Sequence, residues 1–125
     1  MSAALTAAVA SFVVMSGTED GLGLLRWQAR PVLVFSEPFD PQLDKQLELF
    51  NADRERMMER DNVIIVDTHA DSALRRKFRP DGFTVILIGL DGGEKFRAAE
   101  LVEPETLNAL IDTMPMRQRA LAGED

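Results

Sequence analysis

The sequence predicts an α/β domain, a mixed four-stranded sheet with helices on its faces, in the order β-α-β-α-β-β-α after residue 30. Val32-Leu33-Val34-Phe35, Val63-Ile64-Ile65-Val66 and Val85-Ile86-Leu87-Ile88 are short, continuously apolar and rich in β-branched residues. That is the pattern of strands covered on both faces. Stretches of helical periodicity lie between these runs and after them. An Asp91-Gly92-Gly93 reversal follows the third run and sends the chain back beside it.

Pro31 and the Ser36 to Pro38 segment bound the first strand. Leu43, Leu47, Phe50 and Met57 then recur on one helical face, with Asp40 as N-cap and Pro41 in the first turn. Arg54 falls on the same stripe, where its stem can cover apolar surface. Asp53, Glu55, Arg56, Glu59, Arg60 and Asp61 read as the solvent side. After the second strand, Asp71 to Arg79 forms a shorter helix anchored by Leu74 and Phe78, capped by Asp71 or Thr68, and ended by Pro80 and Gly82. Past the reversal, Lys95 to Ala99 reads as an edge strand with Phe96 and Ala98 on one face. The last helix starts at Pro104 and buries Leu107, Leu110, Ile111 and Met114. Pro115 halts it near Thr113, because proline has no amide to continue the ladder. Met116 to Leu121 adds a further turn.

The order divides the chain into an extension, residues 1–21, and one domain, residues 22–125. Ser2 to Met15 carry no charged side chain and are short for a membrane span. This stretch reads as a helix or strand packed on the domain, as an export signal without the usual positive start, or as a tail.

Composition limits the chemistry. The chain has 125 residues, 46% hydrophobic and 28% charged, which is a globular balance. Its net charge of -7 disfavours a general nucleic-acid surface. With no cysteine, disulfide exchange, thiol peroxidase chemistry and thiolate metal sites are excluded within the chain. The single histidine rules out any site that needs two. No cofactor motif is present: Gly89, Gly92 and Gly93 have neither dinucleotide nor phosphate-loop spacing.

Several strings sharpen the fold. Trp27 to Phe35, Gln46, Glu59-Arg60-Asp61, Ile88 to Lys95 and Ile111-Asp112-Thr113-Met114-Pro115-Met116-Arg117 resemble the bacterial family called domain of unknown function 4174, over roughly residues 22 to 121. The resemblance implies a thioredoxin-like three-layer sandwich, related to a domain of some animal extracellular-matrix and sushi-repeat proteins. It carries no established reaction. Many members look exported, so it implies a periplasmic or secreted location; a cytoplasmic one follows if the N-terminal segment is no export signal. The chain departs from working thioredoxins at two places. Ser36-Glu37-Pro38-Phe39 stands where their cysteine motif would be, and Gly82-Phe83-Thr84 lacks the proline they carry before the third strand.

The candidate site residues fall into groups. Asp67, His69 and Asp71 follow a core strand and alternate, so they could gather around a divalent cation or carry acid–base chemistry; the plainer role is a loop network or helix cap. Ser36 is a hydroxyl in the loop matching the thioredoxin reactive site, and otherwise a turn residue. Ser36, Glu37, Phe83 and Thr84 together form a candidate binding surface for protein or peptide. Trp27, Arg30, Met116 and Arg117 form a second, an apolar seam of Trp27 against Met114 with both arginines exposed beside it. Arg75, Arg76, Lys77 and Arg79 make a basic cluster suited to anionic groups, without the aromatic interleaving of nucleic-acid binders.

Three functions follow as expectations. The first is a noncatalytic protein- or peptide-binding module of the cell envelope. The second is a small enzyme with a polar or metal-assisted site at Asp67, His69 and Asp71, and the third is a self-association module.

Overall fold

In a computed structural model, which describes residues 12–17 and 20–123, five strands form one sheet. They are β1 (Val13–Met15), β2 (Arg30–Phe35), β3 (Asn62–Asp67), β4 (Thr84–Ile88) and β5 (Glu94–Ala98). Their order across the sheet is β1-β3-β2-β4-β5. β1 and β2 lie parallel to β3, whereas β4 runs antiparallel to both β2 and β5. The helices are α1 (Pro41–Ala52), α2 (Arg54–Glu59), α3 (Ala73–Phe78), α4 (Pro104–Asp112) and α5 (Pro115–Leu121), with a 3-10 turn at Leu22–Leu25.

The alternation of side chains along the central strands creates two cores. Val32, Val34, Ile64, Val66, Val85 and Leu87 face α1, α2 and α4 through Phe50, Met57, Leu107 and Ile111. Leu33, Phe35, Val63, Ile86 and Ile88 face the other way, toward Leu22, Leu25 and Leu74. Every residue of β2 and β4 is buried. The unbroken apolar runs are thus explained: a strand with helices on both sides has no wet face.

Four expectations are corrected. The sheet has five strands instead of four, because Val13–Met15 pairs with Ile64–Val66 at one edge. Three residues at the end of an uncharged stretch carry little strand signal by themselves, and the rest of that stretch, up to residue 11, lies outside the described residues. The first long helix is broken in two at Asp53, whose φ of -115° is not helical. Arg54 meets apolar surface with its head instead of its stem: its guanidinium carbon lies 5.8 Å from the Phe12 ring centre. The cap of α3 is Ser72, which accepts the Arg75 amide, in place of Asp71 or Thr68. The last strand runs Glu94–Ala98, with a register shift opposite Leu87 and Ile88.

Candidate functional site

Parallel strands β2 and β3 end together, so their following loops meet beside the start of β4. Ser36, Asp67 and Thr84 are brought together there, with Phe35 opposite both Asp67 and Thr84 in the ladder. All three side chains are buried and engaged locally. The Ser36 hydroxyl donates to the Glu37 carbonyl at 2.8 Å, and the Thr84 hydroxyl donates to the Gly82 carbonyl at 3.1 Å. Asp67 accepts the His69 amide at 3.0 Å, and its carboxylate lies 3.5 Å from Arg75 Nε. Arg75 also donates from Nη2 to the carbonyls of Ser36 and Asp67, at 2.8 and 3.1 Å. Its guanidinium carbon sits 5.6 Å from the Phe35 ring centre. This arginine is therefore a brace tying β2, β3 and α3, and not a member of an open basic face.

His69 and Asp71 are exposed while Asp67 is fully buried. Among the described residues no group of three or more His, Cys, Asp or Glu could hold a metal ion. Glu37 is exposed, Phe83 is half-buried against the core, and Phe39 projects with 97% of its surface in solvent. Arg76, Lys77 and Arg79 are exposed on or just after α3, Lys77 pairing with Asp20 at 3.3 Å.

The opposite end of the sheet is built differently. Here the chain enters β2 and β3 and leaves β4, and a pocket of about 520 Å³ opens between these turns and the α4–α5 junction. Trp27, Leu90, Met114, Pro115 and Met116 supply its apolar walls. Arg30, Lys95 and Arg119 supply its cations, and Asp91 its carboxylate. Pro115 sets the lip: it breaks the helix so that Met114 caps α5 from an extended conformation. Trp27 has φ +68°, unusual for a residue with a side chain, and its amide donates to the Leu90 carbonyl at 2.7 Å. Thus the Trp27 backbone is clamped to the β4–β5 turn while its side chain stays 62% exposed. Across that turn Lys95 lies over Gly89, where a Cβ would come 2.5 Å from Lys95 Cε. It reaches Asp91 at 3.0 Å. The Gly93 amide, then Lys95, holds the Asp91 carboxyl below its usual range.

The two arginines expected to be exposed beside Trp27 are buried, Arg30 at 3% and Arg117 at 7%. Arg117 donates to Glu59 at 2.7 Å and to Asp112 at 3.1 Å. Arg60 makes a two-pronged pair with the same Asp112 at 3.0 and 2.9 Å. Arg30 donates to the Arg60 carbonyl at 3.1 Å and lies 3.6 Å from Asp61. Each buried guanidinium sits where carboxylates of other elements can reach it, so the charges at the end of α2 are a tie to α4 and α5 and not simply its wet side. The hydrogen bond from Arg117 pulls the Glu59 carboxyl below its usual range, and that from Arg60, followed by Arg117, does the same to Asp112.

Of the second candidate surface, Trp27, Arg30 and Met116 line the pocket and Arg117 stands behind it. Leu90, Asp91, Lys95, Pro115 and Arg119 are among the lining residues that were not candidates for this surface. All but Arg119 lie in the longer strings: Trp27 to Arg30, Glu59-Arg60-Asp61, Ile88 to Lys95 and Ile111 to Arg117 are far apart in sequence and converge on this end of the sheet.

Comparison with known proteins gives a family and a fold. The pattern of the family described as Domain of unknown function (DUF4174) matches residues 22–120. A search of curated proteins finds no match. Among solved structures, the chain is similar to a thioredoxin pre-protein of Schistosoma mansoni in its reduced form, at 16% identity and TM-score 0.61 over 83% of this chain and 100% of that one. It is also similar to thioredoxin-2 of the malaria parasite, described as a component of protein secretion machinery, at 22% identity and TM-score 0.56 over 69% of this chain and 84% of that one. Reduced desulfothioredoxin of Desulfovibrio vulgaris Hildenborough matches at 20% identity and TM-score 0.53, over 81% and 97% of the two chains. At these identities the likeness establishes a thioredoxin-like fold.

Proposed function

The chain belongs to the family described as Domain of unknown function (DUF4174), and from that premise we propose that it is a noncatalytic binding module. Its ligand is a protein or peptide, and it is held at the end of the sheet opposite the one thioredoxins use for redox chemistry. The observation that carries this reading is the Trp27–Met116 pocket of about 520 Å³, within the usual range for ligand sites, with apolar walls and a few charged groups. Trp, Met and Arg are the residue types that interfaces favour. The other end supports no comparable reading, since Arg75 occupies the carbonyls of Ser36 and Asp67 and cysteine is absent. Action in the cell envelope is part of the proposal, as the family resemblance implies, and compartment fractionation tests it.

In-cell photocrosslinking decides between the two ends. A photoreactive residue at Met116 should give a reproducible adduct that Met114→Glu abolishes, whereas one at Glu37 should not. Adducts from Glu37 alone, lost with Phe39→Ser, would move the binding surface to the exposed loop around Phe39. No adduct from either position would defeat the binding reading.

A further inference from the structure

We propose that the Trp27–Met116 pocket takes one bulky apolar side chain from a polypeptide segment that carries acidic residues on both sides of it. The inference rests on the binding reading above and names what the pocket holds. Three of the four charged residues in its lining are already engaged. Arg30 is buried and serves the Arg60 carbonyl and Asp61. Lys95 is paired with Asp91, which also accepts the Gly93 amide. What remains in front of a ligand is Trp27, Leu90, Met114, Pro115 and Met116. A group with donors or acceptors would give up its water there without replacement. An aliphatic or aromatic side chain gives up only apolar hydration, and methionine adapts to its shape.

Charge complementarity sets what flanks the anchor. The fourth charged residue, Arg119, is exposed on α5. Arg26 is exposed beside Trp27, and its Nε would stand 2.9 Å from a Cβ placed on Gly92, so its head lies over the β4–β5 turn. Neither arginine has an ion-pair partner among the described residues. The pocket opens between that turn and the α4–α5 junction, so one guanidinium stands on the turn side and the other on the helix side. With Lys95–Asp91 and Arg30–Asp61 cancelling, the mouth keeps two uncancelled cations in a chain of net charge -7. Charges act over about 8 Å at physiological salt, so a docking segment meets the sign of the mouth and not that of the whole chain.

A polypeptide supplies this pattern better than other apolar anions. Acidic residues before and after one apolar side chain reach a cation on each side, whereas a fatty acid carries a single head. A nucleotide base between two phosphates has the charges, but its edge groups would face tryptophan, leucine and methionine without partners.

Trp27 is the sole tryptophan and stands in the pocket wall, so its emission reports occupancy. The purified full chain is titrated with a peptide blocked at both termini, a leucine flanked on each side by two acidic residues. Companion peptides replace the leucine by alanine, the acids by their amides, or the acids by lysines. The acidic leucine peptide should bind saturably, and its alanine form about 10-fold more weakly. Exposed ion pairs contribute up to about five-fold each, so the amide form should bind roughly 5- to 25-fold more weakly, a gap that narrows in high salt. The double variant Arg26→Glu, Arg119→Glu alters two exposed side chains and should reverse the preference, taking the lysine-flanked peptide over the acidic one. Equal binding of acidic and amide peptides, or an unreversed preference in the double variant, would overturn the acidic flanks. Equal binding of the alanine form would overturn the apolar anchor. Decanoate or oligothymidylate binding as tightly as the peptide would overturn the polypeptide. If no probe alters Trp27 emission, the proposal fails. The binding reading itself fails only if crosslinking at Met116 is also empty.

Discussion

Gln46 offers the sharpest test of how the fold is held. It is fully buried on α1, and its amide forms a reciprocal pair with the backbone of Val102, 56 residues later. Nε2 donates to the Val102 carbonyl at 2.8 Å, and Oε1 accepts the Val102 amide at 2.8 Å. This is the pairing a strand partner would give, supplied by a side chain to the segment leading into α4. Gln46→Leu keeps the volume close and removes both bonds, leaving a donor and an acceptor unpaired at a residue 4% exposed. Each unsatisfied group costs about 1–3 kcal/mol, and leucine's extra apolar burial offsets roughly 1 kcal/mol. For the two groups together the net loss expected is about 1–5 kcal/mol. For a domain of this size each kcal/mol lowers the melting temperature by ~4 °C, so the midpoint should fall by roughly 4–20 °C. Urea denaturation followed by circular dichroism measures the loss, with an unchanged m-value expected. Gln46→Glu adds a pH signature. The neutral carboxyl can donate and accept as the amide does, whereas the ionised form turns an oxygen toward the Val102 carbonyl. Its folded pKa must rise, so its deficit relative to the parent should be smallest in acid and grow as pH rises through that value. A loss below about 1 kcal/mol for Gln46→Leu, or a pH-independent deficit for Gln46→Glu, would refute the reasoning.

Two further outcomes follow from the ion pairs. Glu59 and Asp112 have folded pKa values held below their ordinary ones by Arg117 and Arg60. Their stabilisation is therefore complete above about pH 5 and is lost as pH falls through about 4 and lower. Denaturation midpoints should drop across that window, less steeply in Arg117→Met; equal slopes would remove the pairs from the account. Arg75→Met should cost about 3 kcal/mol, because it leaves the buried Asp67 carboxylate without its cation. Adding Asp67→Asn should restore part of the loss, as a double-mutant cycle measures; strict additivity would show that the two groups do not act together.

The fold was legible because its signals are local. Continuous apolar runs mark the three central strands, Pro41 and Pro104 mark helix starts by the absence of an amide, and Pro115 marks where the helix before it stops. The fifth strand was legible only as one alternative, a helix or a strand packed on the domain, since Val13–Met15 gains its conformation from the ladder with Ile64–Val66 and not from its own pattern. The break at Asp53 escaped for a similar reason: no proline or glycine marks it, yet Asp53 accepts the Asn108 side chain of α4 at 2.7 Å. Charged residues were the least readable. An arginine beside a tryptophan reads as exposed until the fold brings carboxylates from other elements to it, as Arg117 meets Glu59. Arg75 likewise reads as one of four cations on a helix, although its partners are backbone carbonyls at the ends of two strands.

The same chemistry, arginine meeting backbone and carboxylate, does opposite things at the two ends of the sheet. Where β2 and β3 finish, Arg75 lies over the strand ends and donates to the carbonyls of Ser36 and Asp67. Where they begin, the arginines act from behind. Arg60 and Arg117 converge on Asp112, the last residue of α4, and Arg117 reaches on to Glu59 at the end of α2. These pairs straddle Pro115 and fix the angle of the helix break, so Met114 and Met116 are held at the lip without a neighbouring side chain having to fill the space in front of them. A pocket supported by packing alone would tend to close, because apolar walls gain by meeting. One supported by ion pairs behind its wall can stay open and apolar at once.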